Sequence, residues 1–164
     1  NNRYYKTVIG DLVFKTSAQI GMIHRIGSNP IPSSERYYLG GPDNLKGFDL
    51  FSLGPSTVYE NPAGSGNYSH EPLGGRAMMY SLFELEYPLI REAGLKWVLF
   101  YDIGNAFENF PGVNGEAFKL RQDFGFGFRW FSPIGPLRFE WGFPVKPKPW
   151  EESPLFVFWI GQPF

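Results

Sequence analysis

The chain contains no cysteine, which excludes disulfides, thiol catalysis and cysteine metal sites and leaves the redox compartment open. Histidine is nearly absent. His24 and His70 are the two in 164 residues, which argues against a histidine zinc site or a Ser-His-Asp triad. An excess of one charge is missing as well: 15 basic residues stand against 16 acidic ones, so no general attraction to nucleic acid is implied. No apolar run approaches the roughly 18–20 residues of a membrane helix. No cleavable signal sequence stands at Asn1, which fits a mature, processed or excised chain. Nothing in the sequence requires a cofactor or a metal.

What the chain has in abundance is aromatics and turn formers: 17 Phe, 9 Tyr, 5 Trp, 20 Gly and 15 Pro. Without helical spans, that composition fits a soluble β-sandwich or an outer-membrane barrel, and the pattern along the strands decides between them. In "RQDFGFGFRWF", residues 121–131, the even positions from 124 to 130 are Phe, Phe, Phe and Trp. The odd positions from 121 to 129 are Arg, Asp, Gly, Gly and Arg. Side chains alternate across a strand, so one face is wholly aromatic and the other charged or bare. A barrel with lipid outside and a wet lumen inside requires this arrangement.

The same code recurs along the chain. "PLRFEWGFP" (136–144) sets Leu137, Phe139, Trp141 and Phe143 against Arg138, Glu140 and Gly142. "LKWVLFYDIG" (95–104) sets Leu95, Trp97, Leu99, Tyr101 and Ile103 against Lys96 and Asp102. "RAMMYSLFELEY" (76–87) sets Met79, Phe83, Leu85 and Tyr87 against Glu84 and Glu86, and "SAQIGMIHRIG" (17–27) sets Ala18, Ile20, Met22 and Ile26 against Gln19 and Arg25. "FVFWIGQPF" closes the series, and "RYYKTVIGDLVF" opens it more weakly. The spacers alternate short (15–17, 88–94, 132–135) and long (28–73, 107–120, 144–155), as periplasmic turns and extracellular loops do in membrane barrels.

The expected fold is therefore all-β, an antiparallel transmembrane β-barrel represented by seven strands, or eight with one more upstream. Each segment has about the 9–11 residues that a tilted strand needs to cross. The C-terminus falls on the periplasmic side and Asn1 on the outside. A seven-stranded sheet leaves two unpaired edges in lipid, which is prohibitively costly, and single-chain bacterial barrels have an even strand number. The edges are expected to be closed by upstream strands of a longer chain, or by a second copy in a homodimer.

The motifs resemble, in order, those of the BamA-like outer-membrane assembly factors, a superfamily that includes TamA and the two-partner-secretion transporters. "YYLGGPDNLKGFDLFSLGP" is similar to the family's long sixth extracellular loop with its V-R-G-F/Y signature, and "GGRAMMYSLFELEYP" to the strand after it. "LFYDIGNAF" is similar to the F-x-D-x-G strand, "RWFSPIGPLRFEWGFP" to the S-P-x-G-P hairpin, and "FVFWIGQPF" to the closing strand. The resemblance covers nearly the whole chain, residues 1–164, and implies the C-terminal half of a sixteen-stranded barrel, with loop 28–73 folded into the lumen. It implies that the loop motif Leu45, Lys46, Gly47 and Phe48 docks on the inner wall, with Glu84 and Asp102 as the acidic partners of Lys46. Strand parity independently puts both carboxylates on polar faces. Gly47 would let the backbone turn tightly beside the wall, and Phe48 would pack the tip. The family's arginine is replaced by Lys46, a point charge without a planar fork, so the docking is expected to be less rigid.

At the other end, Phe156, Phe158 and Ile160 alternate toward the terminal Phe164, and resemble the C-terminal strand signal read by the assembly machinery. Gly161 and Pro163 weaken ladder bonding there, which suits the weak strand seam that the resemblance implies. The function implied is non-enzymatic insertion of nascent outer-membrane proteins, with outer-membrane lipid and periplasmic accessory proteins as further partners and the bacterial outer membrane as location. Polypeptide secretion and a passive pore are the alternatives on the same architecture. An enzyme would need a constellation at the rim, for which His70 between Ser69 and Glu71 is the one candidate.

Overall fold

The computed structural model describes residues 2–27, 30–109, 119–133 and 135–161. Nine strands form among these residues: β1 (Asn2–Ile9), β2 (Leu12–Met22), β3 (Ser56–Glu60), β4 (Tyr68–Pro72), β5 (Ala77–Ile90), β6 (Leu95–Phe107), β7 (Arg121–Ser132), β8 (Gly135–Pro144) and β9 (Leu155–Ile160). Seven of them make one antiparallel sheet in the order β1-β2-β5-β6-β7-β8-β9, and β3 and β4 pair separately as a hairpin inside the long loop. The sheet is open: β1 and β9 are its two edges.

Face assignment follows the period of two. On β7, Asp123, Gly125, Gly127 and Arg129 are buried while Phe124, Phe126 and Trp130 are exposed. On β5, Leu82, Glu84 and Glu86 are buried and Phe83 and Tyr87 exposed. The aromatic face is laced across the strands. The register pairs Phe126 with Trp141, Phe124 with Phe143 and Phe139 with Phe158, and their ring centroids lie 5.5, 5.5 and 5.1 Å apart. Such aromatic pairs contribute about 0.5–1.5 kcal/mol each beyond simple burial.

The N-terminal end departs from the sequence expectation. The first turn falls at Gly10-Asp11 and not at 15–17, so β2 begins at Leu12 and ends at Met22 instead of spanning 17–27. The reason is local: a two-residue hairpin needs left-handed backbone, and Gly10 supplies it at φ 56°. The long loop correspondingly runs from 23 to 76, wider than 28–73, and it carries secondary structure of its own.

The charged face of the sheet is covered by that loop. Bridges Tyr37–Gly75 and Leu39–Leu53 close its base. Residues 40–52 form a compact turn in which the Asn44 side-chain oxygen accepts from the Gly40 and Leu45 backbone N–H groups at 2.6 and 2.8 Å. Leu39, Leu45, Phe48 and Leu53 of the loop pack with Met78 of β5 and Ala106 of β6 into one buried apolar cluster. This cluster sits beside the charged residues and holds the loop on the wall.

Candidate functional site

The site is built where the loop motif meets β5 to β8. Leu45, Lys46 and Phe48 are all buried, Lys46 at 0% exposure. Lys46 Nζ lies 3.0 Å from Glu84 Oε1 and 3.0 Å from Asp102 Oδ2, and above the Phe100 ring at 4.8 Å. The Lys46 backbone N–H also donates to Asp102 Oδ2 at 3.4 Å. Burial alone pulls the ammonium pKa down, but the carboxylates of Asp102, Glu84 and Glu140 outweigh it and hold Lys46 above the ordinary lysine value. It is therefore charged at any physiological pH. Phe48 joins the apolar cluster and carries Arg121 over its ring at 4.9 Å.

Gly47 is needed for approach and not for a turn, since its backbone is not among those with positive φ. A Cβ there would lie 2.5 Å from Asp123 Cβ. On β8, a Cβ at Gly142 would in turn meet Gly47 Cα at 2.5 Å. The two glycines let the loop backbone rest directly on β7 and β8. Gly47→Ala is expected to weaken docking by about 1–3 kcal/mol through overpacking, and Asp123→Gly, which removes the obstructing Cβ, to restore most of it. The thermal midpoint of the detergent-solubilised protein checks both. An undisturbed midpoint in Gly47→Ala would show that the backbone does not approach this closely.

Lys46 belongs to a larger ionic network that sequence reasoning leaves unassembled. Arg129 donates to both Glu84 oxygens and to Glu86 at 2.7 Å, and to Glu140 at 2.8 and 3.0 Å. Glu86 also pairs with Lys15 at 2.8 Å and Lys96 at 3.4 Å. Arg138 reaches Glu140 Oε2 at 2.8 Å. Asp123 stands opposite Asp102 in the β6–β7 register, a like-charge pair that is unfavourable by itself, with Lys46 the cation against Asp102. Among the described residues, five cations (Lys15, Lys46, Lys96, Arg129, Arg138) thus pair with four carboxylates (Glu84, Glu86, Asp102, Glu140) on one face, and Asp123 lies on that face without a salt bridge of its own. Strand parity marks each residue of the set on β5 to β8 as inward, while Lys15 falls in the stretch 15–17 that alternation reads as a turn. Nothing in the alternation says which of them touch, because that depends on register across several strands.

The remaining sequence candidates lie elsewhere. Phe156, Phe158 and Ile160 are exposed on the aromatic face of β9, and Phe164 lies outside the described residues. His70 stacks on Trp150 at 5.8 Å in the β3–β4 hairpin, and burial, then Lys148, pushes its pKa below the ordinary histidine value. Ser69 and Glu71 flank it on a strand and so point to the opposite face. Glu71 instead accepts the Tyr59 hydroxyl at 2.9 Å. Among the described residues, no group of three or more His, Cys, Asp and Glu side chains is placed to hold a metal.

Comparison with known proteins agrees with this architecture. Residues 1–164 match the Omp85 superfamily domain. The chain is 30% identical over 146 residues to the outer membrane protein assembly factor BamA of Nitratidesulfovibrio vulgaris, covering 88% of this chain and 17% of that protein. It is 29% identical over 160 residues to BamA of Neisseria meningitidis, covering 82% and 19%. The human sorting and assembly machinery component 50 homolog is 37% identical over 84 residues, covering 51% and 16%. Among solved structures, BamA from Haemophilus ducreyi lacking POTRA domains 1–3 superposes with a TM-score of 0.76 at 26% identity, covering 95% of this chain and 32% of that one. The chain thus spans less than a fifth of the length of either BamA relative.

Proposed function

Because the chain belongs to the Omp85 superfamily, we propose that it is the strand-and-loop half of a barrel that assembles nascent outer-membrane proteins without chemical catalysis. Its place is the bacterial outer membrane. The exposed aromatic face meets lipid, and the charged face lines an interior filled by loop 23–76. Strands outside these residues close the edges of β1 and β9, and periplasmic accessory domains deliver the client chains.

The observation that carries the reading is the contrast between a pinned loop and a short last strand. The loop is held by Lys46 between Glu84 and Asp102 and by an apolar cluster. Among the described residues, the last strand, β9, has six residues, against 14 in β5 and 13 in β6, and only β8 beside it. So short a strand makes a weak seam with the strand that closes the barrel. When the seam opens, the backbone N–H and C=O groups of β9 pair with an incoming strand, which an exposed apolar flank guides in lipid. Export through the lumen, the alternative on the same architecture, would require the loop to leave its ionic partners.

The test is folding of a client. The intact protein, reconstituted in lipid vesicles, is mixed with a urea-unfolded eight-stranded barrel, and the rate at which the client gains strand circular dichroism is followed. Faster client folding than in empty vesicles is the expected result. Equal rates, with client chains recovered inside the vesicles, would replace the assembly reading with secretion.

A further inference from the structure

The loop is held to the wall at a second point that the signature motif does not contain. Arg138 of β8 is completely buried. Its Nη2 donates to the Pro42 carbonyl at 2.7 Å and to Glu140 Oε2 at 2.8 Å, and its Nη1 lies 3.6 Å from Asp43 Oδ1. Pro42 and Asp43 open the same compact turn whose far side carries Lys46. Between the two ends runs an unbroken path of alternating charge. Lys46 pairs with Glu84, Glu84 with Arg129, Arg129 with Glu140, Glu140 with Arg138, and Arg138 returns to the loop at Pro42.

We propose that Arg138 is a positioning residue for the loop, a second anchor that grips the backbone of Pro42 while Lys46 grips the wall four residues later. This rests on the reading of the docked loop given above. The physical case is in the donor geometry. A guanidinium can serve a carbonyl and a carboxylate at once because its N–H groups point along fixed, diverging directions, whereas an ammonium has to share one point charge. Glu140 supports the arrangement from behind, one oxygen on Arg138 and the other on Arg129. Asp43 adds little: it is 66% exposed and its contact is the longest of the set. The grip is thus on main chain, and it compensates for the loss of the planar fork at position 46. A loop with Lys46 alone would pivot about one ammonium. With Arg138 it is fixed at two points on different strands, β8 and the β5–β6 pair.

The absence of cysteine makes a clean test available. Ala106 is 2% exposed and lies in the cluster beneath the loop, so in the intact membrane protein an Ala106→Cys variant reacts with a membrane-impermeant maleimide only when the loop lifts. Asp49→Cys, at an exposed position, gives the unprotected rate. In the Ala106→Cys background, Arg138→Met should raise the labelling rate about tenfold or more, the effect of losing a charged hydrogen bond to a buried carbonyl. Arg138→Lys should fall between the two, and Asp43→Ala close to the parent. Arg138→Met leaves Glu140 paired with Arg129, so the sheet should persist, and unchanged strand circular dichroism confirms it. If Lys46→Met raises labelling while Arg138→Met does not, the second anchor is refuted and the docked loop stands. Equal effects of Arg138→Lys and Arg138→Met would also refute it, since space-filling and not donor geometry would then be at work. If the Ala106→Cys parent labels as fast as the Asp49→Cys protein, the loop is not docked at all, and both readings fall.

Discussion

Lys46→Glu is expected to expel the loop from the wall, and Asp102→Lys to return part of the lost stability, whereas Glu84→Lys should not. The asymmetry comes from the network. Asp102 has one ionic partner, Lys46, and makes no other salt bridge among the described residues. Glu84 is shared, with both of its oxygens also on Arg129 at 2.7 Å. Reversing Asp102 therefore restores one opposite-sign contact at position 46 without setting a cation against Arg129, and the rescue is partial because the new glutamate still faces Glu84. Reversing Glu84 sets a new ammonium against the Arg129 guanidinium in a buried site. The initial loss should be on the order of 3–5 kcal/mol, the scale of breaking a buried pair and leaving its partners charged. Because the Lys46 pKa is raised, its contribution is complete below the unfolded value of about 10.4 and is lost only as pH rises through the higher folded value. The charge on Lys46 itself is thus constant between about pH 5 and 9. Maleimide labelling of Ala106→Cys and client-folding rates report the same ordering: Lys46→Glu worst, the Asp102→Lys double variant intermediate, and the Glu84→Lys double variant no better than the single. Equal rescue by both would mean that Glu84 and Asp102 are interchangeable and that the shared pairing with Arg129 does not exist.

The second large effect is expected at Arg129, which no signature motif marks. Its guanidinium touches three carboxylates, Glu140 on the adjacent β8 and Glu84 and Glu86 on β5, two strands away across β6. Arg129→Met removes the cation that Glu84, Glu86 and Glu140 share, so their negative charge is less compensated where little solvent reaches. Each carboxylate keeps another cation: Lys46 for Glu84, Lys15 and Lys96 for Glu86, and Arg138 for Glu140. The sheet should therefore survive while losing roughly 3–5 kcal/mol. Arg129→Lys should recover only a minor part, because three carboxylates around one cation need the several donors of a guanidinium. Adding Glu140→Gln to Arg129→Met removes the charge imbalance and should recover more than Arg129→Lys does. Thermal midpoints in detergent compare the four proteins. A lysine variant as stable as the parent would show that charge alone, without the fork, accounts for the site.

Much of this protein is legible in its residues because strand chemistry is local. Whether a side chain faces in or out depends on its parity and on the two or three residues either side of it. The seven segments, the aromatic flank and the inward set of Glu84, Glu86, Asp102, Asp123, Arg129, Arg138 and Glu140 can therefore be read from alternation. Where parity is weak, at residues 3–27, alternation misplaces the turn by several residues. The outward side chains there are mixed, and the left-handed demand on Gly10 leaves no periodic trace. Alternation also leaves all the inward charges equivalent. Only the tertiary structure brings Arg129 against Glu84, Glu86 and Glu140, and Arg138 against Pro42. Those contacts join residues 11 to 96 positions apart, through the register of four strands and a loop folded back onto them. Ladder register and loop return are properties of the whole set of backbone hydrogen bonds, so no window of sequence contains them.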